Sequence, residues 1–281
     1  MKISIVIPVY NEEDTLRECL EAVALLRPRA DEVIVVDNNS TDETYEIASS
    51  FDFVKLLRED RQGVVYARTA GFDASKGDII ARIDADTLLP KDWVKQVRAV
   101  FKDDRLMAAS GKAQYYGASL AHVFNAVDLY FRRSLSRQLD GRLYLWGANM
   151  AIKREAWERV KDSLCYQKDI HEDYDVAIHL QRLNMRVAFD ERLVAQVSSR
   201  RIDMNFLGFM AYVWKSPSTY AKHKESVYRA MMPIVITCAI GYLPARVLYR
   251  GYDPVKDSFS FTKLLSQSDK LTRVDPTVNV A

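Results

Sequence analysis

Along the first part of the chain, short apolar runs alternate with segments of helical period. Residues 3–8 and 32–37 are β-branched, apolar and of strand length, and each run ends in polar residues. Residues 53–57 and 78–84 repeat the pattern less cleanly, and 15–26, 42–50, 64–75 and 90–101 between and after them carry helix-spaced apolar positions. Ser40 and Thr41 ahead of Asp42 and Glu43, and Pro90 at a first-turn position, mark helix starts. Strands alternating with helices of this length build βαβ units, and so an α/β fold around a mostly parallel sheet with right-handed crossovers. Such a sheet binds its ligand beyond the carboxyl ends of its strands. Further on, Val176, Ile178, Leu180 and Leu183 predict a helix starting near Glu172.

Composition narrows the class. Of the 281 residues, 48% are hydrophobic and 28% charged, which excludes wholesale disorder. Forty basic against 38 acidic side chains give a net charge of +2, and no nucleic-acid partner is expected. Cys19, Cys165 and Cys238 are far apart with no C-x-x-C, so they are read as free thiols and not as a disulfide framework or zinc knuckle. The apolar stretch 3–9 is shorter than a secretory signal, so a reducing cytosol is the expected location.

The charge is unevenly spread. From residue 198 onward there are 12 basic and 6 acidic side chains, and this part also holds the longest apolar stretch, 231–245. Fifteen helical residues rise about 22 Å, short of the roughly 30 Å of a bilayer core. Residues 201–252 are therefore read as a basic, apolar helical appendage. It makes a peripheral, salt-sensitive contact with the cytoplasmic face of the plasma membrane, packs as a hairpin on the main domain, or forms a dimer contact. Residues 253–281 lack periodicity and read as a poorly ordered tail.

Candidate chemistry lies at the predicted strand ends. No glycine precedes Gly63, so the first strand is not followed by G-x-G-x-x-G, and no P-loop occurs anywhere. Both absences count against nicotinamide, flavin and P-loop chemistry. Asp37 at the tip of the second strand suits a ribose hydroxyl or a base N–H, or simply opens a helix N-cap run. Asp84 and Asp86 follow the strand at 78–84, and strand alternation would place both on one side, aimed at one hard cation. Two carboxylates do not fill a Mn²⁺ or Mg²⁺ shell, so water and phosphate oxygens must complete it. Glu172, Asp173 and Asp175 open the helix at 172, where a helix N-terminus favours negative charge. His171 and His179 are eight residues apart, which misses the i, i+4 spacing that puts two imidazoles on one metal.

Six segments occur in an order that resembles family 2 glycosyltransferases. They are S-I-V-I-P-V-Y-N-E-E from Ser4, V-V-D-N-N-S-T-D from Val35, and Arg61-x-Gly63 with Ala67-Arg68-x-x-Gly71 and Gly77-Asp78. After these come Ile83-Asp84-Ala85-Asp86, Trp146-Gly147-Ala148-Asn149 running to Arg154, and Glu172-Asp173-Tyr174-Asp175. The resemblance implies a GT-A fold over residues 1–200, with a nucleotide-binding half at 1–110 and an acceptor-side half at 111–200. It also implies inverting transfer from a nucleotide-diphospho-sugar, UDP-sugars favoured, with Mn²⁺ or Mg²⁺. Pro8, Tyr10, Glu12, Asp37, Arg61, Gly63, Arg68, Asp84 and Ala85 would surround the nucleotide, and Asp84 and Asp86 the metal. Trp146, Gly147, Asn149 and Glu172 would shape the acceptor and sugar pocket, and Asp173 would be the general base. No Q-x-x-R-W follows the acidic element, Arg200-Arg201 and Trp214 not matching its spacing, which favours transfer of a single sugar to a glycan or glycolipid hydroxyl. A polyprenol-phosphate transferase and a non-catalytic nucleotide- or partner-binding module are the alternatives.

Overall fold

The computed structural model describes residues 1–138 and 145–265. In chain order the first half contains β1 (Ile3–Val9), α1 (Leu16–Ala24), β2 (Glu32–Asp37), α2 (Thr44–Ser49), β3 (Val54–Arg58), α3 (Val64–Ala74), β4 (Ile79–Arg82), β5 (Thr87–Leu88) and α4 (Trp93–Val100). The second half contains β6 (Leu106–Tyr116), α5 (Ala121–Gln138), β7 (Met150–Lys153), α6 (Arg154–Val160), α7 (Glu172–Arg182), β8 (Arg186–Ser198), α8 (Phe206–Lys222) and α9 (Met232–Arg250). A short ribbon, β9 (Tyr252–Asp253) with β10 (Ser258–Phe259), and α10 (Phe261–Leu265) follow.

Eight strands form one sheet in the order β3-β2-β1-β4-β7-β6-β8-β5. The β3-β2-β1-β4 half is parallel, as the βαβ pattern predicts, whereas β7 runs antiparallel to both β4 and β6. Strand β1 shows why its sequence is a near-continuous apolar run. Ile3, Ile5, Ile7 and Val9 join one core layer, with Leu16 and Leu20 of α1. Val6 faces the other layer, with Phe72 of α3 and Trp157 of α6. A strand covered on both faces has no polar side to alternate with.

Two predicted boundaries move for physical reasons. Helix α4 starts at Trp93 because residues 90–93 form a turn, the Trp93 N–H donating to the Pro90 carbonyl at 2.9 Å. Strand β4 stops at Arg82, and the chain turns so that the Thr87 N–H donates to the Asp84 carbonyl at 3.1 Å. Asp84 and Asp86 therefore sit in a turn, and the alternation expected of them does not hold. The stretch read as a poorly ordered tail begins with the β9–β10 ribbon and α10, and its residues 266–281 lie outside the described residues.

The segment 201–252 packs on the main domain. The His171 N–H donates to Thr219 Oγ1 at 2.9 Å, and Tyr220 and Met231 share a buried cluster with Ile178 of α7. Of the cations that flank the segment's apolar helices (Lys215, Lys222, Lys224, Arg229, Arg246 and Arg250), Arg246 and Arg250 pair with Asp203, Lys222 pairs with Asp169, and Lys215 lines a cavity. The helical run Ser226–Arg250 is longer than the apolar stretch in the sequence suggested. By length and composition alone it is long enough to cross a membrane, with 17% of its most apolar window buried.

Candidate active site

A cavity of about 360 Å³ opens at the carboxyl ends of β1 and β4. Pro8, Tyr10 and Glu12 come from the end of β1, and Arg61, Gly63 and Tyr66 from the turn into α3. Arg82 and Asp84 leave β4, and Trp146 and Gly147 precede β7. Tyr166, Lys168, His171, Glu172 and Asp173 descend from the loop before α7 and its first turn. Arg201, Tyr212 and Lys215 complete the wall, so the segment read as an appendage supplies part of the site itself.

Asn38 holds the loop between β3 and α3. This buried side chain donates to the carbonyls of Glu59 and Arg61, both at 2.8 Å, and accepts from the Gly63 N–H at 2.7 Å. Gly63 adopts φ +138°, which a residue with a Cβ would resist, and that turn directs Arg61 over the Tyr66 ring at 4.8 Å.

Two buried arginines hold the acids. Arg82 is 4% exposed and bridges Glu172 and Asp84, the latter at 3.2 Å. Gly147 makes room for it, because a Cβ there would collide with the guanidinium. Burial works against the Arg82 charge, but Glu172, Asp84 and Asp173 outweigh it and raise its pKa. Burial would likewise raise Glu172, yet Arg82 and Arg68 hold it below the usual carboxylate range. Behind the cavity, Arg200 bridges Glu12 and Asp86, the latter at 2.8 Å.

Asp173 has different neighbours. Its oxygens accept from the Gly147 N–H at 2.7 Å and the Tyr174 N–H at 2.9 Å. Burial, and then the charge of Glu172, push its pKa up to about 7 despite Arg82 and the two amides. Such a carboxyl exchanges its proton near neutral pH, as a general base must. Burial also pushes His171 down to about 4, so this cavity imidazole is neutral at physiological pH.

Of the residues singled out in the sequence, Pro8, Tyr10, Glu12, Arg61, Gly63, Asp84, Trp146, Gly147, Glu172 and Asp173 line the cavity. Asp37, Arg68, Ala85, Asp86 and Asn149 do not. Asn149 is fully buried, donates to the carbonyls of Lys112 and Leu193 and accepts from the Trp93 indole at 3.1 Å, so it pins core strands together. Arg68 lies 5.2 Å from the Trp157 ring, and burial lowers its pKa. Asp37 is buried and accepts from the Ser40 N–H at 3.3 Å, the turn role of an acid before a helix.

Asp84 on the wall and Asp86 behind it suit a hard divalent cation, and Asp86 Oδ1 is a buried oxygen with no hydrogen-bond partner. Arg82, Asn38, Arg200 and Arg201 are among the residues that sequence reasoning missed, as are Lys168 and Lys215 on the cavity wall. Arg82 did carry a signal, being the one charge in an otherwise apolar strand.

Residues 4–161 match the sequence profile of Glycosyl transferase family 2. The chain belongs to that family. Glycosyltransferase AglE of Haloferax volcanii is 28% identical over 165 residues, 56% of this chain and 54% of its own. An undecaprenyl-phosphate 4-deoxy-4-formamido-L-arabinose transferase of Yersinia pestis is 29% identical over 173 residues, 58% of this chain and 47% of its own. The family 2 chain thus spans about half the length of the curated relatives it matches. Among solved structures, the mannosyltransferase PcManGT of Pyrobaculum calidifontis, in complex with GDP-Man and Mn²⁺, superimposes with a TM-score of 0.65 at 21% identity. That match covers 87% of this chain and 74% of the other. It establishes the GT-A fold read from the motifs.

Proposed function

We propose that the chain is a metal-dependent inverting glycosyltransferase that moves one sugar from a nucleotide-diphospho-sugar to a hydroxyl of a glycan or glycolipid. The carrying observation is that Asp84, paired with Arg82, and Asp173, raised to about 7, line one cavity. An inverting transfer needs both kinds of acid. The acceptor hydroxyl attacks the anomeric carbon opposite the departing diphosphate, and Asp173 takes its proton. A Mn²⁺ or Mg²⁺ held at Asp84 and Asp86 would neutralise charge on the leaving diphosphate. Arg61, Lys168, Arg201 and Lys215 on the cavity wall add positive charge to receive the donor's phosphates. Tyr10, Tyr66 and Arg61 flank the space for the base.

A second reading, transfer to a polyprenol phosphate, draws support from α8 and α9. Ile236, Ile240, Leu243 and Val247 are exposed and follow each other at helical spacing along one face of α9, with Phe206 and Leu207 exposed at the start of α8. Such a face suits contact with the cytoplasmic membrane surface, which would bring a lipid-linked acceptor to the Arg201 and Lys215 end of the cavity. A phosphate acceptor is already an anion and needs no base.

The test is a thermal-shift screen of UDP-, GDP- and dTDP-sugars with and without Mn²⁺, followed by turnover with hydroxyl and polyprenol-phosphate acceptors. A donor at a hundred times its Kd stabilises by about 2.7 kcal/mol, which is visible in a melt. Absence of any metal-dependent shift across all three nucleotides refutes the donor assignment.

A further inference from the structure

Behind the acidic first turn of α7, outside the cavity, four side chains of different segments converge. They are Cys165 from the loop before α7, Asp175 and His179 one turn apart on α7, and His223 at the end of α8, and their ligand-type atoms all lie within 4.8 Å of one another. His223 Nε2 is 2.7 Å from Asp175 Oδ1 and 3.9 Å from Cys165 Sγ, and His179 Nε2 is 3.4 Å from the same Asp175 Oδ1. The two imidazoles meet edge to face with ring centroids 5.3 Å apart.

We infer that Cys165, Asp175, His179 and His223 form a structural tetrahedral site for a zinc-class divalent cation. Three features separate this from an ordinary polar cluster. The thiol and the carboxylate approach the same nitrogen of His223, whereas a Cys-His-Asp relay needs them on its two different nitrogens. Convergence on one point is what a shared ion requires. Asp175 Oδ1 and His179 Nε2 are both buried and neither makes a hydrogen bond of normal geometry, although buried polar atoms are normally satisfied. Finally, arms of about 2.0–2.3 Å place tetrahedral ligand atoms roughly 3.3–3.8 Å apart, and the separations above bracket that range.

The donor set fits zinc. One soft thiolate, two imidazoles and one carboxylate are the nitrogen, sulfur and oxygen ligands it takes, and four protein ligands close the shell as structural sites do. Asp175 is fully buried and its other oxygen accepts from the Cys165 N–H at 2.9 Å, which orients both ligands. Metal would bind the neutral imidazoles and the Cys165 thiolate, releasing the thiol proton as it enters. Sequence reading passed over the site because it compared His179 with His171. The i, i+4 partner of His179 is Asp175, and the remaining ligands are distant in the chain.

Such an ion would tie the loop bearing Tyr166 and Lys168, the helix bearing Asp173, and α8 with Tyr212 and Lys215 into one unit. The experiment uses the full chain without a histidine tag, stripped with a strong chelator and titrated with Co²⁺ and then Zn²⁺. The expected result is one equivalent of Co²⁺ giving a thiolate-to-cobalt charge-transfer band and tetrahedral visible bands, displaced stoichiometrically by Zn²⁺, with Tm restored. Cys165→Ser should abolish the charge-transfer band and weaken Co²⁺ binding at least about tenfold. Cys19→Ser, whose thiol lies behind the sugar-nucleotide cavity, should retain both. A stripped wild-type chain that shows no charge-transfer band, or a band lost in Cys19→Ser and kept in Cys165→Ser, overturns the assignment.

Discussion

Asp173→Asn separates catalysis from stability, and the two responses have opposite signs. Burial lifts this carboxyl from 3.8 to about 7, so the fold holds the protonated acid better than the anion. In the unfolded chain the group ionises near 3.8, and the stability it favours is therefore present at low pH and lost as pH climbs to 7. At about 1.4 kcal/mol per unit, holding this carboxyl in the fold costs roughly 1–2 kcal/mol at pH 5 and roughly 4 kcal/mol at pH 8. Asparagine removes that charge but offers one carbonyl oxygen where the carboxylate gave one oxygen each to the Gly147 and Tyr174 amides. An unsatisfied buried N–H costs about 1–3 kcal/mol, at every pH.

The variant should therefore be neutral or less stable than wild type at pH 5 and more stable by about 1–3 kcal/mol at pH 8. For a chain this long, 1 kcal/mol moves Tm by about 2 °C, so the gap between the two proteins should grow by about 5 °C from pH 5 to pH 8. Turnover to a hydroxyl acceptor should fall by about 10²–10⁴, with donor affinity changed only a few-fold. In wild type, kcat/KM should rise with pH through about 7, and that limb should vanish in the variant. Paired melts at the two pH values and initial rates across pH 5.5–8.5 measure both effects. A Tm gap that ignores pH refutes the electrostatic reading of Asp173. Undiminished transfer to a polyprenol phosphate refutes its role as base and selects the second acceptor class.

Three further outcomes follow from the same geometry. Asp84→Asn should abolish the Mn²⁺ dependence of donor binding, read by thermal shift, while leaving the fold intact; retained dependence would place the ion elsewhere. Arg200→Ala should cost about 3–5 kcal/mol in a denaturant titration, because it leaves Glu12 and Asp86 buried without their shared cation. Sedimentation with anionic vesicles should carry the chain into the pellet at both low and high salt, in place of the salt-sensitive contact expected from the sequence, since Lys222, Arg246 and Arg250 are ion-paired within the protein, Lys215 lines the cavity, and exposed apolar side chains carry the contact.

The βαβ half was legible because β1, β2 and β4 are buried on both faces and α1 on one, so local pattern and final environment agree. The motif order carried the family, and through it the cavity residues near β1 and β4. What escaped depends on contacts that no local pattern encodes. Glu12 and Arg200 are 188 positions apart, and only the return of β8 beside β6 and β5 brings Arg200 under Asp86. The placement of Asp84 and Asp86 went astray for the opposite reason: a strand period was carried two residues past the point where the chain turns. The 201–215 wall was hidden by composition, because an apolar and basic stretch reads alike as membrane contact or as a lid packed on its own domain.

The acidic element opening α7 shows how far environment, and not residue type, assigns chemistry. Glu172, Asp173 and Asp175 share one helix turn and one helix dipole, which by itself would lower all three alike. Glu172 meets the Arg82 guanidinium and stays charged, its role being to hold that arginine beside Asp84. Asp173 meets two backbone amides, a neighbouring negative charge and little water, and is raised to where a proton can be taken and returned. Asp175 points away from the cavity; burial acts to raise it, but His179, the Cys165 amide and His223 hold it low. A swap within the turn should then fail in either direction. An acid shifted to 174 would leave the Gly147 amide unmet, and Asp173 moved under Arg82 would lose the raised pKa that the proposed base needs. The two-residue spacing of the aspartates is fixed by the helix: positions 173 and 175 face about 200° apart, one toward the cavity and one toward the residues that anchor α8.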